Sequence, residues 1–403
     1  MPSPFAAAWA LEPGLDFLNH GSFGATPRVV LEAQEAWRVQ MEAEPVRFFG
    51  HDLEGLLDAA RGELAAFVGA SAADLAFVPN ATAGFNAVLR ALRFDPGDEL
   101  LITNHAYNAA KTTLEYVAQR SSARIVVAPV PFPVDDPDHV VDAVLGTVTP
   151  RTRLAVLDHV TSPTALVLPI AELVRALDAR GVDTLVDGAH APGMVKLNLS
   201  RLGAAYYTGN LHKWVSAPKG SGFLWVRADR QARVRPVAIS HGANSPRVDR
   251  SRFHLEFDWT GTADPSAYLA VPTALQFGAS LLPGGWRALH ERNHALAIEA
   301  RDLLCGVLAT EPPAPDEMIG SMAAVPMSEK PPGSWVPGID LYGDPIHDGL
   351  LERGIQVVVA PWPQRPDERA WRRLIRVSAA AYNDRDQMER LASALGELLA
   401  VAA

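Results

Sequence analysis

Cysteine is almost missing from this chain: Cys305 is the only one in 403 residues. An intrachain disulfide framework is therefore excluded, and a reducing cytoplasm is the expected compartment. Cys305 falls in the helical pattern RDLLCGVLA, where a buried structural thiol is expected rather than a reactive one. Lysine is also scarce, since only Lys111, Lys196, Lys213, Lys219 and Lys330 contribute to the 36 basic residues. The formal net charge of −10 argues against nucleic acid as the main partner, because neutralising many phosphates requires a basic surface. No apolar run approaches the roughly 20 residues that cross a bilayer, and MPSPFAAAWALEPG lacks the basic start of a signal peptide, so no membrane partner is expected. A GxxxxGK[ST] loop and a GxGxxG fingerprint are both missing, which removes the common nucleotide-binding readings. No internal repeat is visible, and the Pro-rich stretches VPFPVDDPD, EPPAPDE and EKPPGSW read as surface connections.

What is present is an alternation. LAFV precedes FNAVLRAL, ELLIT precedes AAKTTLEYVAQR, and ARIVVAPV precedes VVDAVLGTV; RLAVLDHV, IAELVRALDAR, DTLVDGA, AAYYTG and GFLWVR continue the series. Short strands alternating with helices imply crossover connections and a mostly parallel sheet covered on both faces, an α/β fold. In such sheets ligands sit beyond the carboxyl ends of strands. That rule selects Asn80 to Gly84, Tyr107, Asp158 to Ser162, Asp187 to His190, and Asn210 to Lys213. Beyond about residue 265 come the helical stretches SAYLAVPTALQFGASLL and HERNHALAIEARDLLCGVLAT, then a smaller α/β unit with strands GIQVVVA and RLIRVSA and a closing helix RDQMERLASALGELLAV. We expect a large domain over 16–270 and a small one over 271–403 joined by the N-terminal segment 1–15.

Lys213 stands out among the five lysines by elimination. Lys330 lies in a Pro-rich loop, Lys111 in a helical pattern, Lys196 in the surface-like KLNLS and Lys219 in the glycine-rich turn APKGSG. Lys213 alone follows a strand end and sits between His212 and Trp214, where partial desolvation would lower its pKa. Asp187 ends the strand TLVD 26 residues earlier, a spacing that lets both side chains reach one crevice from neighbouring strands. Such a pair is what pyridoxal phosphate requires: a lysine to condense with the aldehyde and an aspartate to keep the pyridine nitrogen protonated. An Asp at a strand end is more often a cap or turn former, but the glycine after it and His190 make a bare cap less fitting. The segment VPNATAGFNAVLRAL supplies a strand, a small-residue turn and a helix whose first N–H groups would face an anion, with Thr82 and Ala83 as the phosphate contacts.

At these residues the chain resembles a fold-type I pyridoxal-phosphate enzyme of the class V aminotransferase family, near its isopenicillin N epimerase-like branch. The carriers, nearly end to end, are FLNHGSFGATPRVV, AEPVRFF, NATAGFNAV, HVTSPTALVLPI, VDGAHAPG, HKW, TGTADPSAYLA and IRVSAAAYN. The resemblance implies a large domain with a mostly parallel seven-stranded-type sheet plus a smaller C-terminal α/β domain. It implies Lys213 and Asp187 as catalytic residues, Tyr107 stacking on the cofactor ring, His190 near that ring and Ser162 near its phenolic oxygen. Thr82, Ala83, Asn210 and His212 then belong near the phosphate or the lysine. Thr262 is expected to reach the phosphate of the neighbouring subunit, which implies a homodimer with shared active sites. Arg376 is expected to pair with the α-carboxylate of an amino-acid substrate. A guanidinium on a strand fits that task independently, because its fork matches a carboxylate at two points. Asn19, Ser22 and Phe23 are expected to line the substrate side, and Arg47 to meet a distal carboxylate. No metal is expected.

The departures bear most on function, because one cofactor apparatus serves many reactions. A cysteine desulfurase of this family needs a nucleophilic cysteine on the loop before the arginine strand, where this chain has Pro361 and Trp362. Persulfide relay is therefore not expected. Asn210 and Leu211 replace the small residues that many relatives carry before the His-Lys pair. An epimerase acting at Cα is the expectation, with a lyase or an aminotransferase as alternatives and a catalytically silent binding protein behind them.

Overall fold

The computed structural model describes residues 3–327, 343–362 and 372–402. Lys330 and the EKPPGSW stretch lie outside them. Twelve strands are described: β1 (Asp16–Phe17), β2 (Leu75–Val78), β3 (Glu99–Thr103), β4 (Arg124–Ala128), β5 (Thr152–Asp158), β6 (Asp183–Gly188), β7 (Tyr206–Asn210), β8 (Gly222–Val226), β9 (Met322–Pro326), β10 (Ile355–Gln356), β11 (Val358–Trp362) and β12 (Arg372–Ser378). β2 to β8 form one seven-stranded sheet in the order β2-β8-β7-β6-β5-β3-β4. Only β8 runs against its neighbours. The apolar runs LAFV, ELLIT and GFLWV are buried along their whole length, as strands covered on both faces must be. The order of connection reverses between β3 and β5, and the crevice beyond their carboxyl ends is where such folds place ligands.

The helix Ala81–Ala91 lies so close to this sheet that a Cβ on Gly84 would stand 2.0 Å from Oγ1 of Thr208 on β7. Glycine there brings the helix start down onto the strand that delivers Lys213. The C-terminal part is a three-stranded antiparallel sheet, β11-β12-β9, packed on the helix Gly285–Leu308, on which the helix Arg385–Ala402 packs in turn. The N-terminal segment contacts this part: β1 pairs with β10, Ser3 donates to the Ala381 carbonyl at 2.7 Å, and the Trp9 ring meets Tyr382 edge-on at 5.1 Å. One apolar cluster runs through both sheets. The stretch SAYLAVPTALQFGASLL is two helices rather than one, Ser266–Leu269 and Val271–Ser280, because Pro272 has no N–H to continue the first and suits the opening turn of the second. Cys305 is buried in the helix Gly285–Leu308.

Candidate active site

Asp187 is the next-to-last residue of β6 and Lys213 follows β7, so the parallel pairing of these two strands brings both to the same edge of the sheet. Lys213 is tethered at its backbone. His20 Nε2 lies 2.8 Å from the Lys213 carbonyl and His20 Nδ1 lies 2.8 Å from the Tyr382 hydroxyl. Burial pushes His20 down to about 4, so the imidazole is neutral, with Nε2–H donating to the carbonyl and Nδ1 accepting from the tyrosine. Close approach is enforced by Gly24, whose φ of 71° is left-handed and whose Cβ would fall 1.9 Å from the His212 carbonyl.

The Lys213 amine lies 3.1 Å from His190 Nε2. The Trp214 indole N–H reaches His190 Nδ1 at 3.4 Å, which puts the imidazole proton on Nε2, facing the amine. Burial, then the positive charge of Arg376, lower Lys213 to about 7, against an opposing pull from Asp187. No carboxylate lies within ion-pair distance of this half-buried lysine among the described residues. Such a lysine is set up as a nucleophile or base rather than as half of a structural pair. Asp187 accepts the Ala189 amide on Oδ1 at 3.0 Å, and burial raises its pKa while Lys213 holds it down.

At the start of the helix Ala81–Ala91, Asn80 caps by accepting from the Ala83 amide at 2.9 Å, and Asn210 accepts from the Ala81 amide at 2.8 Å. Ala83, expected as a phosphate contact, thus has its N–H engaged within the chain, while the Thr82 N–H has no acceptor among the described residues. Asn210 braces the helix from the strand end. His212 Nδ1 is 3.2 Å from the Ser221 carbonyl.

Arg376 is buried on β12, between Val358 of β11 and Ala324 of β9. Its guanidinium donates to the Ser162 carbonyl at 2.5 Å, to Ser162 Oγ at 3.2 Å and to Ser22 Oγ at 3.0 Å, with Asn19 Oδ1 at 3.5 Å. Ser22 in turn donates to Asn19 at 2.6 Å. Asn19, Ser22, Ser162 and Arg376 therefore form one polar cluster drawn from three separate stretches of sequence. Tyr107 stands at the N-cap position of the helix Asn108–Ser121 and is half-exposed. Phe23 is largely exposed, and Arg47 is an exposed side chain paired with Asp52 at 3.5 Å rather than with this cluster. Thr262 lies in an exposed turn whose neighbours Thr260 and Gly261 border a cavity of about 250 Å³ beside Ala83. His20 and Tyr382 are the residues whose roles sequence reasoning did not assign. The meeting of residues 20, 213 and 382 is long-range and has no local signature.

These groups fit pyridoxal 5′-phosphate: Asp187 Oδ2 has no hydrogen-bond partner among the described residues, Lys213 is a half-buried amine, and a helix start with an open Thr82 N–H faces the same strand end. No group of three or more His, Cys, Asp and Glu able to hold a metal occurs among the described residues.

Comparison with known proteins agrees with this arrangement. The model of the aminotransferase class-V family matches residues 22–391. An isopenicillin N epimerase of Streptomyces clavuligerus is 35% identical over 402 residues, covering 96% of each chain. That of Amycolatopsis lactamdurans is 36% identical over 417 residues, covering 98% of this chain and 99% of the relative. A probable chloroplastic L-cysteine desulfhydrase of Arabidopsis thaliana is 33% identical, covering 78% of this chain and 68% of its own. Among solved structures, the cysteine desulfurase CsdA of Escherichia coli superposes with a TM-score of 0.76 at 21% identity, covering 98% of both chains. A mutant of the enzyme C-DES with glycine linked to its pyridoxal-phosphate cofactor gives a TM-score of 0.78 at 22% identity, covering 98% of this chain and all of that one. With Asp187 and Lys213 set on adjoining strands and the match running through most of the chain, this protein belongs to the aminotransferase class-V family of pyridoxal-phosphate enzymes.

Proposed function

We propose that this chain acts at the α-carbon of an amino acid as an isopenicillin N epimerase-like epimerase or racemase. When bound, pyridoxal phosphate supplies the electron sink for the pair released as the Cα proton leaves. The carrying observation is the Lys213 amine, drawn down to about 7 and held beside His190, in a site that also contains the buried Arg376 guanidinium. A base near neutrality both accepts and returns a proton at working pH. Arg376, already braced by Ser22, Asn19 and Ser162, has the two-point geometry that orients an α-carboxylate. Trp214 and His190 bury the amine, which keeps bulk water from exchanging the proton in transit. Asp187 holds the pyridinium side, and the start of the helix Ala81–Ala91 takes the phosphate through Thr82. Phe23 and Arg47 are assigned to the outer substrate side, and Thr262 to the phosphate of a partner subunit in a cytoplasmic homodimer. The end-to-end likeness to two isopenicillin N epimerases favours this branch.

A β-elimination or C–S lyase is the second reading, favoured by relatives named L-cysteine desulfhydrase at 33% and 34% identity. It shares every step through proton removal and differs in what leaves. A class V aminotransferase would instead pass the amino group of its substrate to a keto acid. Persulfide relay is set aside, because Trp362 packs on His105 at 4.4 Å where a nucleophilic cysteine would be needed, and Cys305 is buried elsewhere. A silent scaffold has no use for an unpaired half-buried lysine beside Asp187.

The deciding experiment incubates the protein, loaded with pyridoxal phosphate, with single amino acids in deuterium oxide. Deuterium at Cα with both enantiomers recovered supports the epimerase reading. Pyruvate with ammonia or sulfide replaces it with the lyase, and amination of an added keto acid replaces it with the aminotransferase.

A further inference from the structure

The four-residue helix His20–Phe23 touches both halves of the site at once. On one side His20, which is 1% exposed, reaches the Lys213 carbonyl with Nε2 at 2.8 Å and the Tyr382 hydroxyl with Nδ1 at 2.8 Å. A carbonyl only accepts, so the ring proton sits on Nε2 and the tyrosine donates to Nδ1. Tyr382 is itself held edge-on by Trp9 at 5.1 Å and stacked on Phe17 at 6.2 Å, and the His20 ring lies 5.0 Å from that of Trp214, the residue after the lysine. On the other side Ser22 Oγ accepts from the Arg376 guanidinium at 3.0 Å, and the Gly21 amide donates to Ser378 Oγ at 3.1 Å. Arg376 and Ser378 are two apart on β12 and so share one of its faces. The Ser378 amide also donates to the Leu18 carbonyl at 2.8 Å. The lysine segment at the edge of the seven-stranded sheet and the arginine strand of the C-terminal sheet thus meet on residues 18–22.

We propose that His20 is a positioning residue and that the short helix it opens is a common mount for Lys213 and Arg376: the imidazole holds the backbone of the lysine while Ser22 holds the guanidinium, so that the amine and the α-carboxylate site keep a fixed separation. Backbone anchoring matters for a lysine because its flexible four-carbon stem follows any drift of Cα. Proton transfer is intolerant of such drift, since a misplacement of about 1 Å costs up to roughly 100-fold in rate. Ser162, the other holder of Arg376, comes from the loop after β5 and makes no hydrogen bond to the lysine segment among the described residues. The helix His20–Phe23 makes both contacts, and Asn19 before it fixes Ser22 by accepting its hydroxyl at 2.6 Å. Burial holds His20 down at about 4, so neither of its hydrogen bonds is lost to protonation at neutral pH. This inference rests on the pyridoxal-phosphate reading of the site and adds two residues to it, His20 and the Tyr382 that orients it.

The test uses the cofactor-free full chain as wild type, His20→Gln, His20→Ala and Tyr382→Phe, with two readouts that do not depend on turnover. The rate at which pyridoxal phosphate is captured, followed by visible absorption, reads the placement of Lys213. The ratio of affinities for phosphopyridoxyl-L-alanine, which carries an α-carboxylate, and pyridoxamine phosphate, which has none, reads the placement of Arg376, and neither probe bonds covalently to the lysine. For His20→Ala, capture about tenfold slower and a ratio about fivefold smaller are expected. For His20→Gln both stay within about twofold of wild type, since the amide N–H donates to the Lys213 carbonyl and the amide oxygen accepts from Tyr382. Tyr382→Phe, which removes the donor that orients the imidazole, falls between the two on both readouts. Overturning results are a His20→Ala protein with wild-type values, one that captures cofactor slowly while its ratio is unchanged, or a His20→Gln protein no better than His20→Ala, which would make His20 a packing residue. Should His20→Ala not fold, Tyr382→Phe takes its place, and wild-type values on either readout overturn the proposal. A wild type that captures no pyridoxal phosphate overturns the cofactor reading and this inference together, whereas capture by the wild type beside unaffected variants overturns this inference alone.

Discussion

The Lys213 amine and the His190 imidazole stand 3.1 Å apart, and the Trp214 indole fixes which ring nitrogen carries the proton. His190 is lowered by burial and by the charge of Lys213, whereas Lys213 is lowered by burial and by Arg376. The amine is thereby brought down to about 7, so that a large share of it is neutral at physiological pH without an ion pair.

The first prediction concerns that neutrality. In cofactor-free protein, reaction of Lys213 with an amine-directed reagent rises through pH about 7, the value to which burial and Arg376 draw it, far below an ordinary lysine. A profile that rises only near pH 10 in the wild type, or one unchanged in Lys213→Ala, would refute it. Replacing His190 by Phe removes the facing proton and is expected to shift the profile without abolishing labelling.

Arg376→Ala is expected to raise KM for the amino acid by about 100-fold, since charge-assisted, buried two-point contacts are worth roughly 3 kcal/mol. Arg376→Lys is not expected to rescue it, because an ammonium cannot fill the fork held by Ser22 and Ser162. Steady-state kinetics decide; an unchanged KM with reduced kcat would move Arg376 away from the carboxylate.

Asn210→Ala unties the Ala81 amide from the strand end and leaves the helix start held by Asn80 alone. The expected cost is about 1 kcal/mol of stability, together with weaker cofactor binding. Equilibrium dialysis against pyridoxal phosphate would show no change if the helix start plays no part in the phosphate site.

Acid sensitivity follows from two buried histidines, His20 and His105, and two half-buried ones, His159 and His212, each lowered to about 4 by desolvation. Their unfolded pKa is near 6.5, so between pH 6.5 and 4 the unfolded chain binds more protons than the folded one. Stability is thus fully present above pH 6.5 and falls as pH drops toward 4. Melting temperatures across that window are expected to fall steeply, and His20→Gln should flatten the slope by up to one proton. An unchanged slope in that variant would mean that His20 titrates normally.

The sequence by itself determined the α/β class and singled out Lys213 and Asp187 as candidates. These are local facts: buried parallel strands are continuous apolar runs, ligands collect at strand ends, and five lysines leave few candidates. Tertiary structure alone decided who holds whom. His20 grips the Lys213 carbonyl across 193 residues, and Arg376 meets Ser22 across 354. Asn210 spends its side chain on the Ala81 amide, and Asp158 faces Asp187 only because β5 and β6 pair in that register. Sequence periodicity reports which face of an element is buried, whereas hydrogen-bond partners depend on the registers and packing that bring distant segments together.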